Sequence, residues 1–132
     1  MRVLAISLAF AAGGCIEEAA DPIDPSPYLG CYQAENGPDI EISSDKVAIG
    51  GGGIEVPYRI ESRKVGPVLS VPLAAEKKGT QLLFASSDEH YFSFVMLAKP
   101  PTLRISAAPD GEIYVFTRSS VSCASMQTKR QS

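Results

Sequence analysis

Few side chains in this sequence carry reactive chemistry. Cysteines stand at positions 15, 31 and 123, and His90 is the single histidine. Cys31 and Cys123 are far apart, and with one histidine they lack the ligand spacing of a metal site, so none is expected. His90 follows Asp88-Glu89 at a loop-to-strand boundary. As a general base it needs a nucleophile in hydrogen-bond reach, and no serine sits in a nucleophile elbow. A surface histidine is the simpler expectation. Asp110 and Glu112 flank Gly111. Paired carboxylates serve calcium binding or glycoside hydrolysis, but Pro109-Asp110-Gly111 is complete as a turn. The run Gly50 to Gly53 lacks the Lys-Ser/Thr ending and the following helix of a phosphate-cradling loop, and reads as a hairpin loop. No nucleophile, metal or acid–base set can be assembled. A non-enzymatic chain without a cofactor is expected.

The surroundings of Cys15 are more informative. Arg2 precedes the apolar run Val3 to Ala12, and Gly13-Gly14 leads directly into the cysteine. That run is too short for a membrane-spanning helix, which needs about 20 residues, and has the length of a signal-peptide core. The arrangement resembles the lipobox of bacterial lipoproteins, with Ala12 where that family more often has leucine. The resemblance implies that residues 1–14 are a signal peptide. It also implies that Cys15 is lipidated and becomes the new N-terminus. Several acyl chains on one cysteine make a stable anchor, because each buried methylene contributes about 0.8 kcal/mol. Ile16 follows, not the aspartate that in Gram-negative relatives favours retention in the inner membrane. The implied address is the outer membrane, facing the periplasm.

That compartment is oxidising, and Cys31 and Cys123 then read as a disulfide joining the two ends of the domain. Closing so long a loop stabilises by about 4 to 5 kcal/mol in the chain-entropy model.

Charge divides the mature chain. Residues 15–27 hold Glu17, Glu18, Asp21 and Asp24 with Pro22, Pro25 and Pro27 and no base. Such a segment favours an extended, solvated tether. The β domain is placed at 28–123 and a polar tail at 124–132. From Tyr28 onward acidic and basic residues balance, so the four carboxylates of the tether, offset only by Arg2, account for the formal charge of −3. A neutral domain without a basic run argues against a nucleic-acid partner.

Within the domain period-two alternation dominates. Ile40 and Ile42 alternate with Asp39, Glu41 and Ser43; Leu103, Ile105 and Ala107 alternate with Thr102, Arg104 and Ser106. Ile54, Val56, Tyr58 and Ile60 alternate with Glu55, Pro57, Arg59 and Glu61. Pro57 lacks an amide donor and places that strand at an edge or a bulge. Pro72 to Gly79 is the one helical expectation, with proline at a first-turn position and glycine past the end. Elsewhere about eight short strands are joined by tight turns, too short for parallel crossovers. The expected class is all-β: a single small antiparallel β-barrel with one short helix, or alternatively a two-sheet β-sandwich.

The first strand reads Tyr28-Leu29-Gly30-Cys31-Tyr32, and the last ends at Arg118. Gly30, Tyr32 and Arg118 resemble the lipocalin and wider calycin barrels. In those barrels Gly-x-Trp opens the first strand and an arginine of the last strand packs across the ring. The resemblance implies structural roles, with the ring closing one barrel end.

The last strands are apolar on both faces. Phe92, Phe94 and Met96 oppose Tyr91, Val95 and Leu97, and Tyr114 and Phe116 oppose Ile113 and Val115. Internal packing, a partner surface and a ligand cavity all account for this pattern. The leading expectation is a membrane-anchored envelope module for binding or interaction, with Tyr91, Phe92, Phe94, Tyr114 and Phe116 as its contact surface. The partner is then an envelope protein or a small apolar ligand. Two alternatives are a small apolar-ligand carrier of lipocalin type and a periplasmic inhibitor of a hydrolase.

Overall fold

The computed structural model describes residues 22–51, 53–96, 101–120 and 123. The expected signal peptide (residues 1–14), Cys15, residues 16–21 of the expected tether and the expected tail 124–132 lie outside the described residues.

Nine strands follow in order: β1 (Gly30–Gln33), β2 (Ile40–Ile42), β3 (Val47–Ile49), β4 (Ile54–Val56), β5 (Arg59–Arg63), β6 (Gly66–Lys78), β7 (Gln81–Val95), β8 (Thr102–Ala107) and β9 (Glu112–Arg118). They form one sheet in the order β4-β3-β2-β1-β9-β8-β7-β6-β5, and every paired neighbour runs antiparallel. A single sheet curled into a half-barrel answers the choice between barrel and sandwich. Each hairpin neighbour is consecutive in sequence, except that β9 returns to pair with β1.

The two edges of this sheet are the two halves of one expected strand. Pro57 and Tyr58 interrupt it, leaving β4 on β3 and β5 on β6. The proline cannot donate to a ladder, so pairing stops where the donor is missing.

The alternation sets the inner face. Ile40, Ile42, Leu103, Ile105, Tyr114 and Phe116 point into a single core with Tyr32, Leu69, Val71, Phe92 and Phe94. Glu41, Arg104, Ile113 and Val115 point away from it.

The structure corrects the expected helix. Pro72 to Lys78 is the second half of the 13-residue strand β6, and Gly79, at φ 64°, turns the chain into β7. Leu73 and Ala75 are buried while Glu76 and Lys78 are exposed, a period of two. Proline and glycine here mark a bulge and a hairpin turn. Val71 pairs with His90 and Leu73 with Ser86, so Pro72 stands against Ser87, Asp88 and Glu89. A residue without an N–H leaves that rung open, and the surplus residues bulge from β7.

Beyond the bulge the β6–β7 arm folds back over one end of the sheet. The Lys77 amide donates to the Ala108 carbonyl at 2.8 Å, the Ala108 amide to Ala75 at 2.9 Å, and the Leu82 amide to Asn36 at 2.9 Å. Leu82 is fully buried. Lys77 Nζ also reaches Asp110 Oδ2 at 3.1 Å and Glu112 Oε1 at 2.6 Å.

The opposite end is closed by a 3₁₀ turn, Ser26–Tyr28. Tyr28 packs on Phe94 with ring centroids 4.5 Å apart. Residues 22–27 therefore differ from the expected solvated tether. Pro22 bridges to Glu61, the Ile23 amide donates to the Ile60 carbonyl at 2.7 Å, and Ile23 packs against the core.

Candidate functional site

The outer face of β5, β6 and β7 carries the densest polar constellation. On β5, Ile60 points into the core, so Arg59, Glu61 and Arg63 stand on the other side. Register places Arg59 opposite Ser70, and Ser70 opposite Tyr91. The bulge beside Pro72 turns Glu89 toward the same row. Arg59 Nε donates to Glu61 Oε2 at 2.8 Å, and its Nη2 donates to Glu89 Oε2 at 2.9 Å. Arg63 Nη2 donates to Glu61 Oε1, and the Ser70 hydroxyl donates to Glu89 Oε2. The Arg63 guanidinium carbon lies 4.2 Å from the centre of the Tyr91 ring.

Glu61 is buried and Arg59 is 54% exposed. Burial alone would raise the Glu61 carboxyl, but hydrogen bonds from Arg59 and Arg63 outweigh it and hold the group below its ordinary value. Both guanidiniums are raised in turn, first by their hydrogen bonds to Glu61. The cluster is thus a locked array of charges, because both oxygens of the buried carboxylate are engaged.

This array borders a groove of about 330 Å³ lined by Pro57, Tyr58, Arg59, Ser70, Pro72 and Glu89. A second hollow of about 220 Å³ continues past Tyr58 and Arg59 to Pro22, Ile23, Pro25, Ser44 and Ile60. Both follow the seam where β4 and β5 part. The walls are proline and tyrosine and the rim is charged. Such a groove suits recognition of an extended or flat group (small-molecule sites share this mixture of apolar wall and few polar points). Ser70 has a carboxylate partner in Glu89 but no imidazole partner among the described residues, so no nucleophile–base pair of the serine–histidine kind is displayed here.

The structure redistributes the expected contact residues. Phe92, Phe94, Tyr114 and Phe116 are core side chains, exposed by 8% or less. They cannot form a contact surface, because strand alternation turns them onto the concave face. Tyr91 alone of the five is exposed, at 49%, and it belongs to the charged array. Its companions on the outer face are Ile113 and Val115. His90 is exposed on β7, and Asp110 and Glu112 are tied to Lys77.

Cys31 and Cys123 form a disulfide, with 5.1 Å between their Cα atoms and a sequence separation of 92. Gly30, Tyr32 and Arg118 also meet. Tyr32 and Arg118 are cross-strand partners, and Arg118 Nη1 donates to the Pro27 carbonyl at 2.7 Å. The Tyr32 hydroxyl donates to the Tyr28 carbonyl at 2.9 Å. Burial pushes the Tyr32 phenol up to about 12, against the lowering influence of Arg118.

No family model, curated protein or solved structure matches this chain.

The site residues that sequence reading passes over are Arg63, Ser70 and Glu89. Alternation in β5 does place Arg59 and Glu61 together on the outer side. Nothing local to Glu89 announces the bulge, since the missing donor belongs to Pro72 on the neighbouring strand.

Proposed function

We propose that this chain is a lipid-anchored lipoprotein of the bacterial cell envelope that works as a non-enzymatic binding or interaction module. The anchor is Cys15, and the location is the outer membrane, facing the periplasm. Support for the address comes from Arg2, the apolar run, Gly13-Gly14 before Cys15, and Ile16 after it. A disulfide between the remaining cysteines suits such an oxidising space.

The observation that carries the binding role is the seam groove with its charged rim. Tyr91, Arg63 and Arg59 replace the aromatic set as the contact surface, because they are the members of that face that reach solvent. An aromatic ring under a guanidinium presents area at small conformational cost, which is how tyrosine and arginine dominate binding surfaces. The partner class is an envelope protein.

The test is a pull-down from envelope extracts with the anchored chain, comparing wild type with Tyr91→Ala and with Arg59→Lys, which keeps a cation beside Glu61. Loss of the same captured species with both variants, while their unfolding midpoints stay near wild type, is the expected result. Unchanged capture with both would end the assignment of this face.

A lipocalin-type carrier draws support from one arrangement, the meeting of Gly30, Tyr32 and Arg118 at the barrel end. It requires an interior cavity of at least a few hundred cubic ångströms. The concave side holds Tyr32, Phe116, Ile105 and Leu103 at full burial, which weighs toward the surface role. Fluorescent fatty-acid displacement that saturates at one probe per chain would favour the carrier.

A further inference from the structure

The disulfide has a third neighbour. One ligand atom each from Cys31, Asp39 and Cys123 lies within 4.8 Å of the other two. Cys31 comes from β1, Asp39 from the segment entering β2, and Cys123 from beyond β9, so tertiary structure alone assembles the group. Asp39 is held there by the Gly50 amide, which donates to its carbonyl at 2.9 Å, and by Gln33 Nε2, which donates to its Oδ1 at 3.3 Å. Both cysteines are buried and Asp39 is half-buried.

We infer that the reduced protein holds one divalent cation of the zinc type between Cys31, Asp39 and Cys123, so that this cross-link is one state of a redox-gated metal site. Placement and ligand type carry this assignment. While the disulfide is intact, the two sulfurs are bonded to each other and offer no thiolate to an ion. A dithiol reductant supplies two electrons and two protons. Its thiolate attacks one sulfur, its second thiol resolves the mixed disulfide, and two protein thiols are released while the reductant closes into its own disulfide. Two thiols and a carboxylate, contributed by three separate segments, then lie within reach of one ion. A metal ion binds there by displacing the two thiol protons, which leave to solvent. Two thiolates and one carboxylate match the tetrahedral preference of zinc with one position left for water, and thiolate sulfur excludes calcium and magnesium.

The test is titration of the mature chain with Co²⁺ as a spectroscopic stand-in for zinc, before and after reduction with a phosphine. The expected result is no thiolate-to-cobalt charge-transfer band in the oxidised chain and a band saturating at one equivalent in the reduced chain. Zinc should bleach it. Asp39→Asn should weaken the reduced chain's affinity about 10-fold or more, and Cys31→Ser/Cys123→Ser should abolish the band. Circular dichroism runs alongside. If reduction loosens the fold and one equivalent of metal restores it, the inference stands, since binding then couples to folding. Absence of the band in the reduced chain, or a band of equal affinity in Asp39→Asn, would overturn it.

Discussion

The side chain of Arg118 occupies the space that a side chain at Gly30 would need. A Cβ built on Gly30 would lie 3.0 Å from Arg118 Cδ and 3.2 Å from its Cγ, and Gly30 has φ +141°. Two separate demands therefore fall on one glycine: room for the arginine stem, and a backbone conformation that side-chain-bearing residues avoid. Gly30→Ala should destabilise the domain by about 1 to 3 kcal/mol. Adding Arg118→Ala should relieve the crowding but not the backbone strain. Denaturant unfolding of the single and double variants checks this; complete rescue by Arg118→Ala would show that crowding alone was at stake.

Removal of the disulfide acts mainly on the unfolded chain. The loop it closes has a sequence separation of 92. Cys31→Ser/Cys123→Ser should lower stability by about 4 to 5 kcal/mol in the chain-entropy model. Equilibrium unfolding of the variant against the oxidised wild type measures it, and wild type unfolded under reductant should approach the variant.

Burial separates the aromatic residues by energy. Phe94→Ala removes a core ring packed on Tyr28 and Tyr32 and should cost about 3 to 5 kcal/mol. Tyr91→Ala loses mainly the contact with Arg63 and should cost about 1 kcal/mol or less. Urea midpoints of the two variants would coincide if both rings faced solvent.

Glu61 makes the domain sensitive to acid. Its carboxyl is held below the ordinary 4.5. A lowered value in the folded state stabilises fully above the unfolded value and loses that contribution as pH falls through the folded one. Wild type should therefore lose stability below about pH 4.5 more steeply than Glu61→Gln, which should be the less stable protein at pH 7. Unfolding midpoints measured from pH 7 down to pH 3 give the comparison.

Tyr32 sets the alkaline limit. Its phenol is raised from 10.0 to about 12 by burial. The unfolded chain ionises first, so this stabilising contribution is complete below about pH 10 and is lost as pH rises toward 12. Tyr32→Phe should abolish that part of the alkaline decline. It should also cost about 1 kcal/mol near neutrality through the lost hydrogen bond to Tyr28. Thermal melts between pH 8 and pH 11 separate the two effects.

The class of this fold was legible because alternation is a local code. Ile40 and Ile42, or Leu103, Ile105 and Ala107, state which side is buried within a single strand, and Pro57 states where pairing must stop. The pairing of Cys31 with Cys123 followed from there being two cysteines left beside Cys15. Pro72 and Gly79 misled, since proline and glycine bracket helices and hairpin arms alike and only the partner strand distinguishes them.

By itself the sequence determined an antiparallel all-β domain, the inner and outer residues of strands such as β2 and β8, and the pairing of its cross-link, because each rests on neighbouring residues or on composition. Tertiary structure decided which apolar face of β7 and β9 is core, where the β6–β7 arm lands, and that Arg59, Glu61, Arg63, Ser70, Glu89 and Tyr91 form one array. It also brought Asp39 to the two sulfurs. Those relationships join strands whose register depends on a missing proline donor and a bulge, and no short stretch of sequence contains both sides of such a pairing.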